Sequence, residues 1–244
     1  MTEPGAIPAA TVIVMREGGG APELLMVERA ALMRFAGGAL VFPGGRVDPA
    51  DEALALEFEG EGDEIAARIA AIRETIEEAG VAVAIDGPVE ALSRLVQAGE
   101  AFGPALADLG ATLDPDALVP FARWLPQGVA HRIFDTRFYL ARAPRLAEPQ
   151  VDGSENVRAF WARAQDVLDA ADRGEARIIF PTRRNLERLA QFASFAEAVA
   201  DAEAHPVRTI TPWIETREGE AHLCIPDDLG YPVTAQPLPG ALRG

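Results

Sequence analysis

The sequence predicts an α/β fold with a mixed sheet, on three observations. Short β-branched stretches and helical stretches alternate along the chain. Residues 63–79 carry apolar side chains at helical spacing. Of the 244 residues, 49% are hydrophobic, enough to fill a core. The elements follow in order. Residues 10–16 and 23–29 read as strands, with a Gly-Gly-Gly-Ala-Pro turn between them. A short strand over 39–42 runs into Pro43-Gly44-Gly45. The acidic stretch from Asp48 to Glu64 reads as a solvated loop with a helical turn, or as a lip over a site. A long helix is expected over 63–79, ended by Gly80 as its C-terminal cap. Residues 87–118, helical and punctuated by Pro and Gly, read as an inserted helical hairpin. Strands are expected at 121–124, 133–141 and 157–161, then helices near 164–173 and 182–203. The tail 207–244 reads as irregular, with strand-like pieces at 208–214 and 222–225.

Composition removes several function classes. The net charge is −16, so binding of nucleic acid by bulk electrostatics is excluded. Every one of the 22 basic residues is Arg. Without lysine there is no Walker-A site, Schiff base or Ser-Lys dyad. Three histidines, scattered, and one cysteine argue against zinc. Cys224 has no partner for a disulfide and reads as a small buried hydrophobe. No Gly-x-Ser-x-Gly occurs, and the start, Met-Thr-Glu-Pro-Gly, lacks the basic and apolar regions expected of a signal peptide. No apolar run reaches the roughly 20 residues that cross a bilayer. A soluble cytoplasmic protein is expected, its chemistry left to carboxylates, arginines and bound cations.

The helix over 63–79 concentrates that chemistry. At 100° per residue, Ile65, Ile69, Ile72 and Ile76 form one stripe. Glu74, Glu77 and Glu78 lie on the opposite side at spacing i, i+3, i+4. Like charges so placed repel, and they stand at the helix end where the macrodipole disfavours acids. A hard divalent cation resolves that conflict. Ala67, Ala70 and Ala71, further up the same face, are small enough to let another segment cover it. Arg73 precedes Glu77 by four and is placed to pair with it.

Pro43-Gly44-Gly45, followed by Arg73-Glu74-Thr75-Ile76-Glu77-Glu78-Ala79-Gly80-Val81, resembles the Nudix box. That signature is Gly, five residues, Glu, seven residues, then Arg-Glu, a hydrophobe, any residue, Glu-Glu, any residue, Gly and a hydrophobe. Thr75 replaces one hydrophobe. Counted back from Arg73, the glycine falls on Glu59, so Gly45 implies an insertion of 14 residues. The first glutamate is then supplied by Asp63, by Glu64 or by neither. An extended box, with Ala67-Arg68-Ile69-Ala70-Ala71-Ile72-Arg73-Glu74, is similar to the subgroup containing mammalian peroxisomal acyl-CoA diphosphatases. Arg123-Trp124-Leu125-Pro126, Arg132 to Phe138 and Pro181-Thr182 are similar to that subgroup too, so the resemblance covers roughly residues 10–215. Arg29, Ala30, Arg34, Gly38 and Phe42-Pro43-Gly44-Gly45 match the spacing of a coenzyme-A-specific Nudix signature, with Leu25-Met26-Val27 where that signature has Leu-Leu-Thr.

The resemblance implies a Nudix-like α/β/α sandwich over residues 1–244, with a mixed sheet, the helical insertion and the irregular tail. It implies a hydrolase that cleaves CoA or acyl-CoA to 3′,5′-ADP and (acyl-)phosphopantetheine, with Mg²⁺ or Mn²⁺ as cofactor. Glu74, Glu77, Glu78 and a backbone carbonyl near Gly44 or Gly45 are the implied metal ligands, with Arg73 supporting them. Arg29 and Arg34 suit the substrate phosphates, since guanidinium binds phosphate bidentately. Asp152 and Glu155 are candidates for the general base. Phe160, Trp161 and His131 read more readily as structural, and Arg183-Arg184 as helix surface. Two alternatives stand beside this one: a Nudix enzyme acting on NADH or an ADP-sugar, and a non-catalytic Nudix-fold binding module. The expected partner is a small nucleotide substrate, not nucleic acid or membrane; a homodimer is compatible with this reading.

Overall fold

The computed structural model describes residues 5–31, 36–126, 133–145, 147–151 and 156–238. In chain order the elements are β1 (Ile7–Arg16), β2 (Glu23–Arg29), β3 (Leu40–Val41), β4 (Gly44–Arg46), α1 (Pro49–Ala55), α2 (Gly62–Ala79), β5 (Ile85–Asp86), α3 (Val89–Gln97), α4 (Phe102–Leu109) and β6 (Thr112–Leu113). A 3₁₀ turn, Pro115–Ala117, leads to β7 (Val119–Trp124), β8 (Phe134–Arg142), β9 (Asn156–Arg163), α5 (Ala164–Asp172), α6 (Phe180–Leu189) and α7 (Phe195–Ala204). The chain continues through β10 (Thr209–Ile210), β11 (Trp213–Arg217), β12 (Glu220–Cys224) and β13 (Ala235–Pro237).

The main sheet is mixed and runs β10-β7-β8-β1-β2-β3, with β4 also on β1 and β9 also on β2. Strand β1 pairs parallel with β8 and antiparallel with both β2 and β4. Because side chains alternate along a strand, each strand feeds two cores. Ala10, Val12, Val14, Leu25, Val27 and Tyr139 pack under α2. Ile13, Met15, Leu24, Met26 and Leu140 pack against residues of α5, α6 and α7 on the other face. This is the three-layer α/β/α arrangement that the resemblance implied.

The isoleucine stripe of α2 is buried: Ile65, Ile69, Ile72 and Ile76 are 5% exposed or less. Each contributes about 2 kcal/mol of burial. Gly80 caps the helix at φ 66°, its N–H donating to the Ile76 carbonyl at 2.8 Å. Ala67, Ala70 and Ala71 are buried as the covered-face reading expected, and α1 packs against α2. Residues 87–118 contain α3 and α4, flanked by the β5–β6 pair.

The structure corrects the expected helix over 182–203. It is two helices, because Ser194 starts a new one: its hydroxyl accepts the Glu197 N–H at 3.2 Å, and Glu197 accepts the Ala193 N–H in return. The tail is more regular than expected. Pro212 separates β10, which joins the main sheet, from a three-stranded antiparallel sheet, β11-β12-β13. Among the described residues no helix is long and apolar enough to cross a membrane.

Candidate active site

Three elements meet at the C-terminal end of α2. The start of β4 delivers Gly44 and Gly45, the end of β2 delivers Arg29, and α2 itself delivers Arg73, Glu74, Glu77 and Glu78. Both glycines stand in close approach, Gly44 to backbone and Gly45 to a side chain. A Cβ on Gly44 would collide with the β1 backbone at Ala10 and Thr11, and one on Gly45 would fall inside the Glu74 carboxylate. The Gly44 N–H donates to Glu78 Oε2 at 3.0 Å, and Arg29 Nη1 lies 3.5 Å from Glu78 Oε1. The upstream arginine and the start of β4 therefore both face one buried glutamate.

Arg73 organises the other two glutamates. Its Nη1 donates to Glu74 Oε1 at 3.0 Å and to Glu77 Oε2 at 2.9 Å. The Arg73–Glu77 pairing is the one the helical spacing predicted. The rest of the guanidinium is held by a partner that spacing on the helix does not reveal. Nε and Nη2 donate to the two oxygens of Asp51, each at 2.9 Å, and Nη2 also donates to the Arg46 carbonyl at 3.1 Å. Asp51 is 2% exposed and accepts the Asp48 N–H at the start of α1.

Asp51 bears on the box's first acid, for which the sequence leaves open Asp63, Glu64 or neither. Neither Asp63 nor Glu64 fills that role. Asp63 is exposed. Glu64 lies ten residues before Glu74, about 15 Å along the helix, and pairs there with Arg68 and Arg137 at 3.2 Å. Asp51 stands six positions after Gly45, the Gly–five residues–Glu spacing of the signature, with Asp for Glu. The 14-residue insertion therefore lies after the first acid, in residues 52–65. Counting forward from Gly45, rather than back from Arg73, would have found it.

Among the described residues, four carboxylates (Asp51, Glu74, Glu77, Glu78) lie within 3.5 Å of one of two guanidinium groups (Arg29, Arg73), in a largely buried cluster. The cost appears in Glu74. Burial first, and then the charges of Glu78 and Glu77, push its carboxyl up to about 8 against the pull of Arg73. Burial also raises Glu77, again opposed by Arg73. Burial works against the charge on Arg73, but Asp51, Glu74 and Glu77 outweigh it, and its pKa rises above the ordinary value.

A hard divalent cation fits this set. The donors are all oxygen, and Glu74 Oε2 and Glu77 Oε1 have no hydrogen-bond partner among the described residues. A carboxyl held protonated near neutral pH chiefly by burial gains from a nearby cation. Among the described residues no three acidic, histidine or cysteine side chains converge as a ready-made cluster, and one nitrogen of Arg73 bridges Glu74 and Glu77.

Arg34, His131, Asp152 and Glu155 lie outside the described residues. The residues flanking the last two are placed at the site: the Gln150 N–H donates to the Ala79 carbonyl at 2.8 Å, and Asn156 pairs with Arg29. Trp161 and Phe160 pack against the two cores, under Arg16 and Arg158 respectively. Arg183 and Arg184 stay remote from α2. Arg183 pairs with Asp172, and Arg184, 2% exposed, bonds Glu187, Gln236 and the Val233 carbonyl, so it is a core tie rather than helix surface. Cys224 is free and buried.

Residues 6–182 match the NUDIX domain family. The chain is 29% identical over 179 residues to nudix hydrolase 7 of Caenorhabditis elegans, covering 69% of this chain and 56% of that protein. It thus spans little more than half the length of that curated relative. A crystal structure of a NUDIX hydrolase from Alicyclobacillus acidocaldarius superposes with a TM-score of 0.71 at 30% identity, covering 82% of this chain and 97% of that one.

Proposed function

Because the chain belongs to the Nudix family, we propose that it is a divalent-metal-dependent hydrolase that cleaves the diphosphate linkage of CoA or acyl-CoA. The products are 3′,5′-ADP and phosphopantetheine or its acyl form. The observation that carries this reading is the meeting of Gly44, Arg29 and Glu78. Arg29 and Gly44, two members of the CoA-type spacing, both contact Glu78, which supports this reading.

In this reading Glu74, Glu77 and Glu78, with a backbone carbonyl of Gly44 or Gly45, would hold Mg²⁺ or Mn²⁺. Bound there, the cation would neutralise charge on the diphosphate and lower the pKa of the attacking water. Glu74 Oε2, which has no hydrogen-bond partner among the described residues, would be available to such a cation while Oε1 accepts from Arg73. Arg73, clamped by Asp51, remains to balance Glu77 and fix the backbone of β4 through the Arg46 carbonyl. Arg29 and Arg34 bind the substrate phosphates. Glu155 takes the proton of the attacking water, with Asp152 as the other candidate.

The test is a panel of CoA, acyl-CoAs, NADH and ADP-sugars with Mg²⁺ and with Mn²⁺, products identified by mass. Release of 3′,5′-ADP supports the reading; turnover of NADH or ADP-sugars alone refutes the CoA assignment. One departure favours that second outcome: Leu25-Met26-Val27 lacks the threonine of the CoA signature. Arg34→Ala separates the two, since a CoA enzyme would lose apparent affinity for CoA more than for ADP-ribose.

A further inference from the structure

The partner strand of Arg29 is out of simple register. Val27 pairs with Ala159 and Glu28 with Arg158, so an unbroken ladder would put Val157 opposite Arg29. A bulge at Glu28/Arg29 puts Asn156 there instead. Val157 is 53% exposed, whereas Asn156 is 3% exposed. Bulges of this kind re-aim side chains beside sites. This one replaces an outward valine with a buried amide next to the arginine that touches Glu78.

Two buried polar atoms at this paired position lack hydrogen-bond partners among the described residues: Arg29 Nε and Asn156 Oδ1. One is a donor and the other an acceptor. A single water or hydroxyl group that accepts from Arg29 Nε–H and donates to Asn156 Oδ1 satisfies both. Leaving either unpaired costs on the order of 1–3 kcal/mol. The Arg29–Glu78 contact, at 3.5 Å, is long for a charge-assisted hydrogen bond.

We propose that Asn156 is a positioning residue of this site: through a shared water it holds the Arg29 guanidinium at its present distance from Glu78, so that Arg29 does not displace a divalent cation from that carboxylate. The inference rests on the metal reading of the site. Without Asn156, Arg29 closes on Glu78 and competes with the cation. Second partners of metal ligands typically change affinity by about 10–100-fold.

The test measures Mn²⁺ binding to the full chain by electron paramagnetic resonance, without substrate, so it does not depend on which diphosphate is cleaved. Asn156→Ala is expected to weaken Mn²⁺ binding about tenfold. Asn156→Asp, which keeps an acceptor for Arg29, retains the affinity or tightens it. In an Arg29→Ala background, Asn156→Ala changes nothing further, because the competing cation is gone. Should Asn156→Ala fail to fold, Asn156→Ser, too short to reach the shared water, carries the same expectation. Equal Mn²⁺ affinity in wild type and Asn156→Ala overturns this inference alone. So does a loss that persists in the Arg29→Ala background. A wild-type chain that takes up no Mn²⁺ overturns it together with the metal reading.

Discussion

Asp51→Asn isolates the clasp between α1 and α2. The substitution is isosteric, so it opens no cavity; it removes one charge and turns one acceptor into a donor. In the native chain Asp51 is 2% exposed and receives two hydrogen bonds from Arg73, both at 2.9 Å. Breaking a buried ion pair from one side costs about 3–5 kcal/mol, because the remaining charge is stranded. Arg73 keeps Glu74 and Glu77 as partners, so the lower end applies, about 3 kcal/mol. For a chain of this size each kcal/mol moves the melting temperature by about 2–4 °C. The expected fall is therefore about 6–12 °C, read by circular dichroism in metal-free buffer. A second consequence separates the clasp from general destabilisation. Arg73, released from Asp51, bonds Glu74 and Glu77 more tightly, so Mn²⁺ affinity falls as well. A variant that melts within about 2 °C of wild type refutes the view that Asp51 holds the two halves of the box together.

Glu78→Gln should lower turnover on the order of 100-fold or more with an unchanged circular dichroism spectrum; near-normal activity removes Glu78 from the metal set. Gly45→Ala forces a methyl into the Glu74 carboxylate and should cost about 1–3 kcal/mol of stability and abolish Mn²⁺ uptake; a variant that still binds Mn²⁺ as wild type contradicts the close approach. For pH, the Glu74 carboxyl stands at about 8 folded against 4.5 as its ordinary value. Across that window the metal-free folded chain keeps a proton that the unfolded chain releases, so the stability it contributes is full below 4.5 and is lost as pH rises through about 8. The melting temperature of the metal-free protein should therefore fall over that range, and a rise would contradict a buried protonated Glu74. By the same titration, calorimetry at pH 7 in buffers of different ionisation enthalpy should show about one proton released per Mn²⁺ bound; no release would mean that Glu74 is already ionised.

What the sequence made legible was local. The isoleucine stripe, the opposed glutamates, the Gly80 cap and the Arg73–Glu77 pair all follow from helical spacing within one element, and each stands where that spacing put it. Asp51 was missed because its partner is 22 positions away on another element, and only the tertiary fold brings the two together. The signal was present in the forward spacing from Gly45, but the insertion lies between that glycine and the helix. Asn156 was likewise hidden: a single bulge in β9 decides whether it or Val157 faces Arg29, and bulges leave no periodicity to read. The break near Ser194 was obscured by apolar residues that continue at helical spacing across both α6 and α7.

The clasp between Asp51 and Arg73 also means that the site does not depend on the covalent path between them. The intervening stretch leaves α1 at Leu56, 85% exposed, and stays largely exposed until α2 begins. Its ends are pinned on both sides, by the start of α1 and by the body of α2. A single cut in residues 57–61 would therefore leave two fragments that remain docked, with every carboxylate of the cluster still in place. The same stretch is where new chain can be spliced in, or the termini relocated, while the chemistry stays assembled.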